Sequence, residues 1–247
     1  MQGPFREQAR PGDGPRSLRE LTLAPAREIL VLAPHPDDFD AIALTLRHLR
    51  AQGHTLHVAV LTGGAGGVET GFEGARDDAA KAALREAEQR DSGALFGLPQ
   101  QQLHFLRLWE AEDQGHARLH EWMAARRAAH LLFLPHGNDS NRTHRRTFEA
   151  ARAIAGDLGL RAWACLNQDA KTADMRIDLH FGFGEEEAAW KAQLLRCHRS
   201  QQERNLRTRG QGFDARVLEV NRNAARTLRL EQPYAEVFEL MPFGTQR

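Results

Sequence analysis

Apolar runs of strand length, separated by longer stretches with helical periodicity, restrict this 247-residue chain to a layered α/β fold more tightly than any other feature of its sequence. The runs cover Glu28–Pro34, Thr55–Thr62, Gln102–Leu108, His130–His136, Arg161–Asn167, Met175–Phe181 and Ala235–Met241. Helical patterns fill Ala41–Gln52, Arg76–Leu98, Ala117–Ala129, His144–Gly156 and Glu185–Arg204. Strands that alternate with helices predict βαβ units, hence a mainly parallel sheet with helices on both faces. A chain of up to about 250 residues is routinely one such domain, so residues 28–247 are expected to form a single unit. Residues 1–27, rich in Pro, Gly and Arg with only short apolar runs, are expected to be a loosely held arm.

Lys plus Arg and Asp plus Glu balance at 33 each, so net charge offers no general attraction to nucleic acid or to an anionic membrane, although a local basic patch stays compatible with that balance. No run approaches the roughly 20 apolar residues of a membrane span, and the N-terminus lacks the apolar stretch of a secretory signal. Only Cys165 and Cys197 are present, which argues against a disulfide framework or a Cys-rich structural zinc site and fits a reducing cytoplasm. A homo-oligomer stays open.

In open α/β sheets the ligand crevice lies beyond the C-terminal ends of the strands. "APHPDD" (Ala33–Asp38) closes the first run, "TGGAGG" (Thr62–Gly67) the second, Glu110 follows the third, and "PHGNDSNRTHR" (Pro135–Arg145) follows the fourth. A catalytic metal such as zinc takes three His or carboxylate ligands and keeps one position open. His35 and Asp38 can supply two of them from one tight loop, and the third is offered by His136, Asp139 or His144. Asp37 is then left over. A carboxylate beside the open position is the group that takes a proton from water, so the two adjacent acids divide into a ligand and a general base. A lone H-x-x-D is more often a helix cap, because Asp before a helix satisfies orphan N–H groups; the second polar cluster is what favours a site. "TGGAGG" is a poor nucleotide signal, since it follows the second strand and lacks the spacing and the Lys of a phosphate loop. It is read instead as a place where backbone passes close to metal or substrate.

Taken together, "APHPDD", "LTGGAGG", "REAEQRDSGALFG" (Arg85–Gly97), "NDSNRTHR" (Asn138–Arg145), "WKAQLLRCHRSQ" (Trp190–Gln201) and "YAEVFEL" (Tyr234–Leu240) resemble the PIG-L/LmbE-like zinc-dependent deacetylases, in the same order. The resemblance implies a Rossmann-like fold and hydrolysis of the acetamide in an N-acetylglucosamine-type conjugate or a related N-acylated small molecule. It further implies one Zn2+ held by His35, Asp38 and His144, with Asp37 as base. Arg85 resembles the family's substrate-contacting Arg, steadied by Glu88, and Glu110 falls near its acidic ligand for a sugar hydroxyl. His198, in the late H-R-S-Q element, either faces the pocket or caps a helix.

Two departures bear on chemistry. Phe39 stands where the family commonly has Glu, with Asp40 next, and Asn141-Arg142-Thr143-His144 replaces H-x-D-H. Asn141 thus occupies the place of a His that stabilises the oxyanion or protonates the leaving amine, and Asn141, His136 and His198 are the candidates for those tasks. Selectivity is expected in the loops 68–78, 110–116 and 168–174. The rival readings are a metal-dependent amidase acting on another acyl-amine and a non-catalytic sugar- or metabolite-binding protein with a decayed site.

Overall fold

The computed structural model describes residues 14–21, 27–109 and 115–244. Among them, eight strands form one sheet in the order β1-β7-β8-β6-β5-β2-β3-β4. The strands are β1 (Arg16–Ser17), β2 (Glu28–Ala33), β3 (Thr55–Val60), β4 (Leu103–Phe105), β5 (Leu131–Pro135), β6 (Ala162–Asn167), β7 (Leu179–Phe183) and β8 (Tyr234–Phe243). All neighbouring pairs are parallel except those of β8, which runs antiparallel to both β6 and β7. The helices are α1 (Ala43–Ala51), α2 (Asp78–Phe96), α3 (Gly115–Ala124), α4 (Arg142–Asp157), α5 (Glu185–Arg196), α6 (Arg199–Arg209) and α7 (Phe213–Leu228).

The sequence of β2, EILVLA, is apolar at nearly every position because it is buried on both faces, as a central parallel strand must be. Its alternate side chains separate into two cores. Ile29, Val31 and Ala33 join a cluster with Leu46 of α1, Phe96 of α2 and Leu194 of α5, whereas Leu30 and Leu32 join one with Met123 of α3 and Ile154 of α4. Period-two alternation thus places helices on both faces.

The chain leaves β2 towards β3 and β4 on one side and returns to add β5 and β6 on the other. The C-terminal ends of β2 and β5 therefore flank the point where strand order reverses, which is where an open α/β sheet forms a crevice. The register of β2 on β3 carries on past the strand ends, with the Thr62 N–H and hydroxyl both donating to the Pro34 carbonyl, at 3.0 and 2.8 Å. The loops after the two strands are thereby locked side by side.

Three expectations need correction. Part of the stretch expected to be a loose arm is in place: Arg16–Ser17 pairs with β7, and Leu18 and Leu21 are buried in the core. The strand expected at 175–181 lies at Leu179–Phe183, because the Arg176 guanidinium turns onto Asp178 and its N–H is taken by Glu239 before the ladder begins. The single helix expected over 185–204 is two, broken at His198, whose backbone (φ −82°, ψ 67°) leaves the helical region. Helix α7 was not anticipated; its buried face includes Asp214, Asn221 and alanines, so its apolar stripe is thin.

One polar network secures the helix that follows the HPDD loop. Nothing at the start of α1 caps it from within; instead Glu236 on β8 accepts the N–H groups of Leu44 (3.1 Å) and Thr45 (2.8 Å). The carboxylate sits at the positive end of the helix dipole. It is matched by Lys191 of α5, fully buried, whose ammonium reaches Glu236 at 2.7 Å, Asn221 at 2.8 Å and the Ala41 carbonyl at 2.5 Å. Burial pulls the Lys191 amine down from its usual range, and the charge of Glu236 opposes that pull. Lys191→Met or Glu236→Gln alone leaves a buried group unmatched, an error typically costing about 3–5 kcal/mol. Each single variant is expected to lower Tm by roughly 6 °C or more, and the double variant to recover part of that loss in thermal melts.

Candidate active site and metal centre

A cavity of about 960 Å³ opens over the C-terminal ends of β2, β3 and β5, and His35, Asp37, Asp38, Arg85, Asn141 and His144 all line it. The sequence-distant loops meet as the strand order requires. His35 and Asp38 come from the turn after β2, in which the Asp38 carboxylate accepts the His35 N–H at 2.8 Å and lies 3.1 Å from its Nδ1. His144 comes from the first turn of α4, and its Nε2 is 3.4 Å from the other Asp38 oxygen. Ligand atoms of His35, Asp38 and His144 all lie within 4.8 Å of one another. Two imidazoles and a carboxylate at that separation match the donor set of an open catalytic site for a divalent cation.

The electrostatics point the same way. Burial opposes a charge on His144, but the Asp38 carboxylate and hydrogen bonds to Asp139 and Asp38 outweigh it and push the imidazole up to about 10. Burial would likewise raise Asp38, yet the charge and hydrogen bond of His144, with help from His35, hold it well below the usual carboxylate range. A place that binds a proton this firmly suits a cation. Asp139 completes the arrangement by accepting from His144 Nδ1 at 3.1 Å, which turns Nε2 towards Asp38. A carboxylate behind a histidine fixes both the tautomer and the ring orientation of a metal ligand. Asp139, an alternative ligand in the sequence, thus orients a histidine here, although with Asp169 it also lies close enough to His144 to form a second donor group.

Asp37 is held by different partners. Its backbone adopts φ +115°, a conformation that L residues avoid, and its N–H donates to Gln89 Oε1 at 2.9 Å. Arg85, on the same face of α2 one turn earlier, donates to the Asp37 carboxylate, the Pro36 carbonyl and the Gly64 carbonyl. Burial pushes the Asp37 carboxyl up, against the charge of Arg85, and neighbouring Asp38 adds to the rise. The adjacent acids therefore face opposite environments, the pattern that divides proton transfer from ligation.

The glycine loop serves this arginine. A Cβ at Gly64 or at Gly67 would stand 2.7 Å from Arg85 Nη1, and Gly64 also has φ +63°. The close approach read from "TGGAGG" is therefore to the guanidinium. The H-R-S-Q element braces the same wall. His198 Nε2 lies 2.6 Å from Asp40, the Ser200 N–H and hydroxyl both donate to Glu88 at 2.7 Å, and Gln201 donates to the Gly67 carbonyl at 2.9 Å.

Several sequence-predicted residues therefore sit elsewhere than expected. Glu88 caps α6 and does not steady Arg85. His198 is fully buried beneath the cavity and does not line it, because Asp40 holds its imidazole. His136 is likewise absent from the lining; its Nε2 turns to Glu239 at 3.2 Å and its Nδ1 accepts from the Asn138 N–H. Asn141 does line the cavity, with its Oδ1 capping α4 at the Thr143 N–H (2.9 Å). Glu110, with 111–114 of its loop, lies outside the described residues. The roles of Gln89 and Asp40 in bracing the Asp37 loop escaped the sequence reading, although Gln89, four residues after Arg85 on a helix, had to share its face.

Residues 30–155, just over half of the chain, match the PIG-L family model, described as GlcNAc-PI de-N-acetylase. The chain belongs to the PIG-L family. No curated protein matches it by sequence. Among solved structures it is similar to N,N'-diacetylchitobiose deacetylase from Pyrococcus horikoshii (TM-score 0.69, 19% identity, 88% of this chain and 84% of that one). It is also similar to the zinc inhibited form of a teicoplanin deacetylase (0.62, 15%, 87% and 98%). A third is GalB, the 4-carboxy-2-hydroxymuconate hydratase from Pseudomonas putida (0.66, 16%, 90% and 99%). At such identities these likenesses carry the Rossmann-like fold of the family and no more.

Metal analysis of purified variants tests the ligand set. His144→Ala is expected to lose the bound divalent ion. Asp139→Asn keeps all three donors and is expected to weaken affinity by about 10- to 100-fold, the usual effect of removing a ligand's orienting partner. Unchanged stoichiometry in His144→Ala would exclude this set.

Proposed function

We propose that the chain is a zinc-dependent N-deacetylase that hydrolyses the acetamide of an N-acetylglucosamine-type conjugate, with one ion per chain. The observation that carries this reading is the union of an open His35–Asp38–His144 donor set with a separately held Asp37, in a chain of the PIG-L family. The deacetylases among its structural relatives support the substrate class, and the donor set of two imidazoles and one carboxylate supports zinc as the ion. Both cysteines are free and no described helix is long and apolar enough to cross a membrane, which supports a cytoplasmic setting.

When bound, a divalent cation supplies Lewis acidity, lowering the proton affinity of water and offsetting negative charge on the carbonyl oxygen. Asp37 takes the proton of the attacking water, and Arg85 and Gln89 keep its carboxylate at the cavity. Asn141 spends its oxygen on the cap of α4, so its amide N–H groups remain to donate to the oxyanion. An amide has no proton to give near neutral pH. With His136 turned to Glu239 and His198 to Asp40, Asp37 itself returns the proton to the departing amine. Acetate and a free amino sugar are the products.

The fold shared with a hydratase favours a second reading, metal-assisted addition of water to a carboxylated substrate. Incubation with a panel of N-acylated amines separates the two: acetate and free amine appear together under the first reading and neither appears under the second. Asp37→Asn is expected to keep its metal and lose about 10²- to 10⁴-fold in kcat. Asn141→Asp retains the helix cap but not the donor, so it is expected to melt like the wild type while kcat falls by about 10²-fold or more. A wild-type rate in Asn141→Asp would remove that residue from the mechanism.

A further inference from the structure

Four acids line the cavity, and the fold accounts for three of them. Asp37 is paired with Arg85, Asp38 with His144, and exposed Asp78 sits in the first turn of α2, where the helix dipole favours a negative charge. Asp169 has no such task. Its carboxylate forms no hydrogen bond and no ion pair among the described residues. Its backbone alone is engaged, the N–H donating to Thr172 Oγ1 at 2.9 Å and the carbonyl accepting the Thr172 N–H at 3.1 Å.

That carboxylate is nevertheless fixed beside the metal centre. The segment after β6 is stitched to the segment after β5: the Ser140 N–H donates to the Lys171 carbonyl at 3.2 Å, and the Ala173 N–H to the Asn138 carbonyl at 2.9 Å. The Asn138 side chain donates to the Ala173 carbonyl at 2.8 Å, and the Thr172 hydroxyl to Asp139 at 3.3 Å. The first of these two segments runs straight into α4 and His144, so Asp169 is anchored to the stretch that bears a proposed ligand. Its carboxylate comes within 4.8 Å of ligand atoms of both Asp139 and His144. Neither orientation nor ligation explains that place. Both nitrogens of His144 already face carboxylates, Nδ1 that of Asp139 at 3.1 Å and Nε2 that of Asp38 at 3.4 Å. Asp169 therefore has no ring atom of its own to steer, and with Nδ1–H given to Asp139 the ring keeps no second lone pair for a cation on Asp139 and Asp169.

An ionised carboxylate accepts hydrogen bonds and donates none. Held rigidly at a cavity wall without a protein donor, it takes its donors from what fills the cavity, and on an N-acetylated sugar those are the ring hydroxyls. We propose that Asp169 is a specificity-determining residue that accepts a hydrogen bond from a ring hydroxyl of the substrate, so that the site selects hydroxylated acetamides over N-acetyl amines that lack the group. For the bond that is broken the proposal rests on the deacetylase reading; for the recognition of the hydroxyl it does not. Asp169 holds the ring, and proton transfer stays with Asp37. An analogue lacking the hydroxyl is penalised because it displaces water from the carboxylate and offers no donor in return.

The test uses the purified metal-loaded protein and four probes: the methyl glycoside of N-acetylglucosamine and its 3-deoxy, 4-deoxy and 6-deoxy analogues. Metal content, melting, calorimetric Kd and acetate release are measured for the wild type, Asp169→Ala and the milder Asp169→Asn. Both variants are expected to keep their metal and to melt within about 2 °C of the wild type, because the carboxylate makes no contact inside the protein. On the parent glycoside Asp169→Ala is expected to lose about 10- to 100-fold in kcat/KM and in affinity, the usual effect of one hydrogen bond to a charged group, and Asp169→Asn less. One deoxy analogue is expected to cost the wild type a similar factor and to cost Asp169→Ala little more, since the same bond is then removed from both sides. The analogue that shows this coupling identifies the hydroxyl. If the losses multiply for all three analogues, or if Asp169→Ala handles the parent glycoside like the wild type, the assignment is overturned; acetate released from that glycoside would leave the deacetylase reading standing. Loss of metal from Asp169→Asn would likewise overturn it, by making the residue part of the metal centre. If one analogue couples in Kd and no acetate is released from any probe, the hydroxyl contact stands and the deacetylase reading falls. A protein that neither binds nor hydrolyses any of the four overturns both.

Discussion

Two carboxylates on consecutive residues cannot both stay ionised in a half-closed site unless each has its own counter-charge. Asp37 and Asp38 impose that requirement on everything around them. Asp38 meets it with His35 from its own loop and His144 from the far side of the strand-order switch, so the fold has to bring β2 and β5 together. Asp37 meets it with Arg85 from α2, so that helix has to lie against the loop, and the glycines at 64 and 67 exist to let the guanidinium through. The rigid parts of the molecule can be read outward from this pair: Gln89 fixes the strained Asp37 backbone, Asp139 turns His144, and Glu236 with Lys191 anchors the helix that follows.

What the sequence made legible was whatever has a short-range signature. Apolar runs with period two or uninterrupted burial located β2, β3, β5, β6 and β8 to within a residue or two, and the His and Asp residues at their ends pointed to a common crevice. The break at His198 has no Pro or Gly to announce it; it arises because a buried imidazole is pulled to an aspartate 158 positions earlier. The roles of His136 and Glu88 were hidden for the same reason. Their partners, Glu239 and Ser200, are distant in sequence, so residue type alone left the direction of the side chain open.

The departures from the family pattern have separate physical explanations. Phe39 is fully buried, edge-on to Phe96 with ring centroids 4.9 Å apart, so that position has been given to the core. The acid appears one residue later as Asp40, equally buried, where it receives the Ser92 hydroxyl at 3.0 Å, the Gln89 amide at 3.1 Å and the His198 imidazole. Since Gln89 is also the acceptor for the Asp37 N–H, the displaced carboxylate is still linked to the proposed base, through one amide side chain. A buried carboxylate this well hydrogen-bonded restrains Gln89, and Gln89 restrains Asp37.

Asn141 is the other departure, and its consequence follows from how many groups one amide can satisfy. As the N-cap of α4 it commits its oxygen to the Thr143 N–H, and its own N–H is taken by Asp139, the residue that also orients His144. A single short segment, Asp139 to His144, therefore orients the proposed ligand, caps its helix and places Asn141 in the cavity lining. An imidazole at position 141 would supply a titrating proton, but it would leave the Thr143 N–H without the side-chain oxygen that caps it now. With the proton task assigned to Asp37, the chain keeps a well-capped helix exactly where its arginines make that helix's first turn electrostatically costly. The substitution thus stabilises from within the one helix start that carries Arg142, Arg145 and Arg146 and no acid.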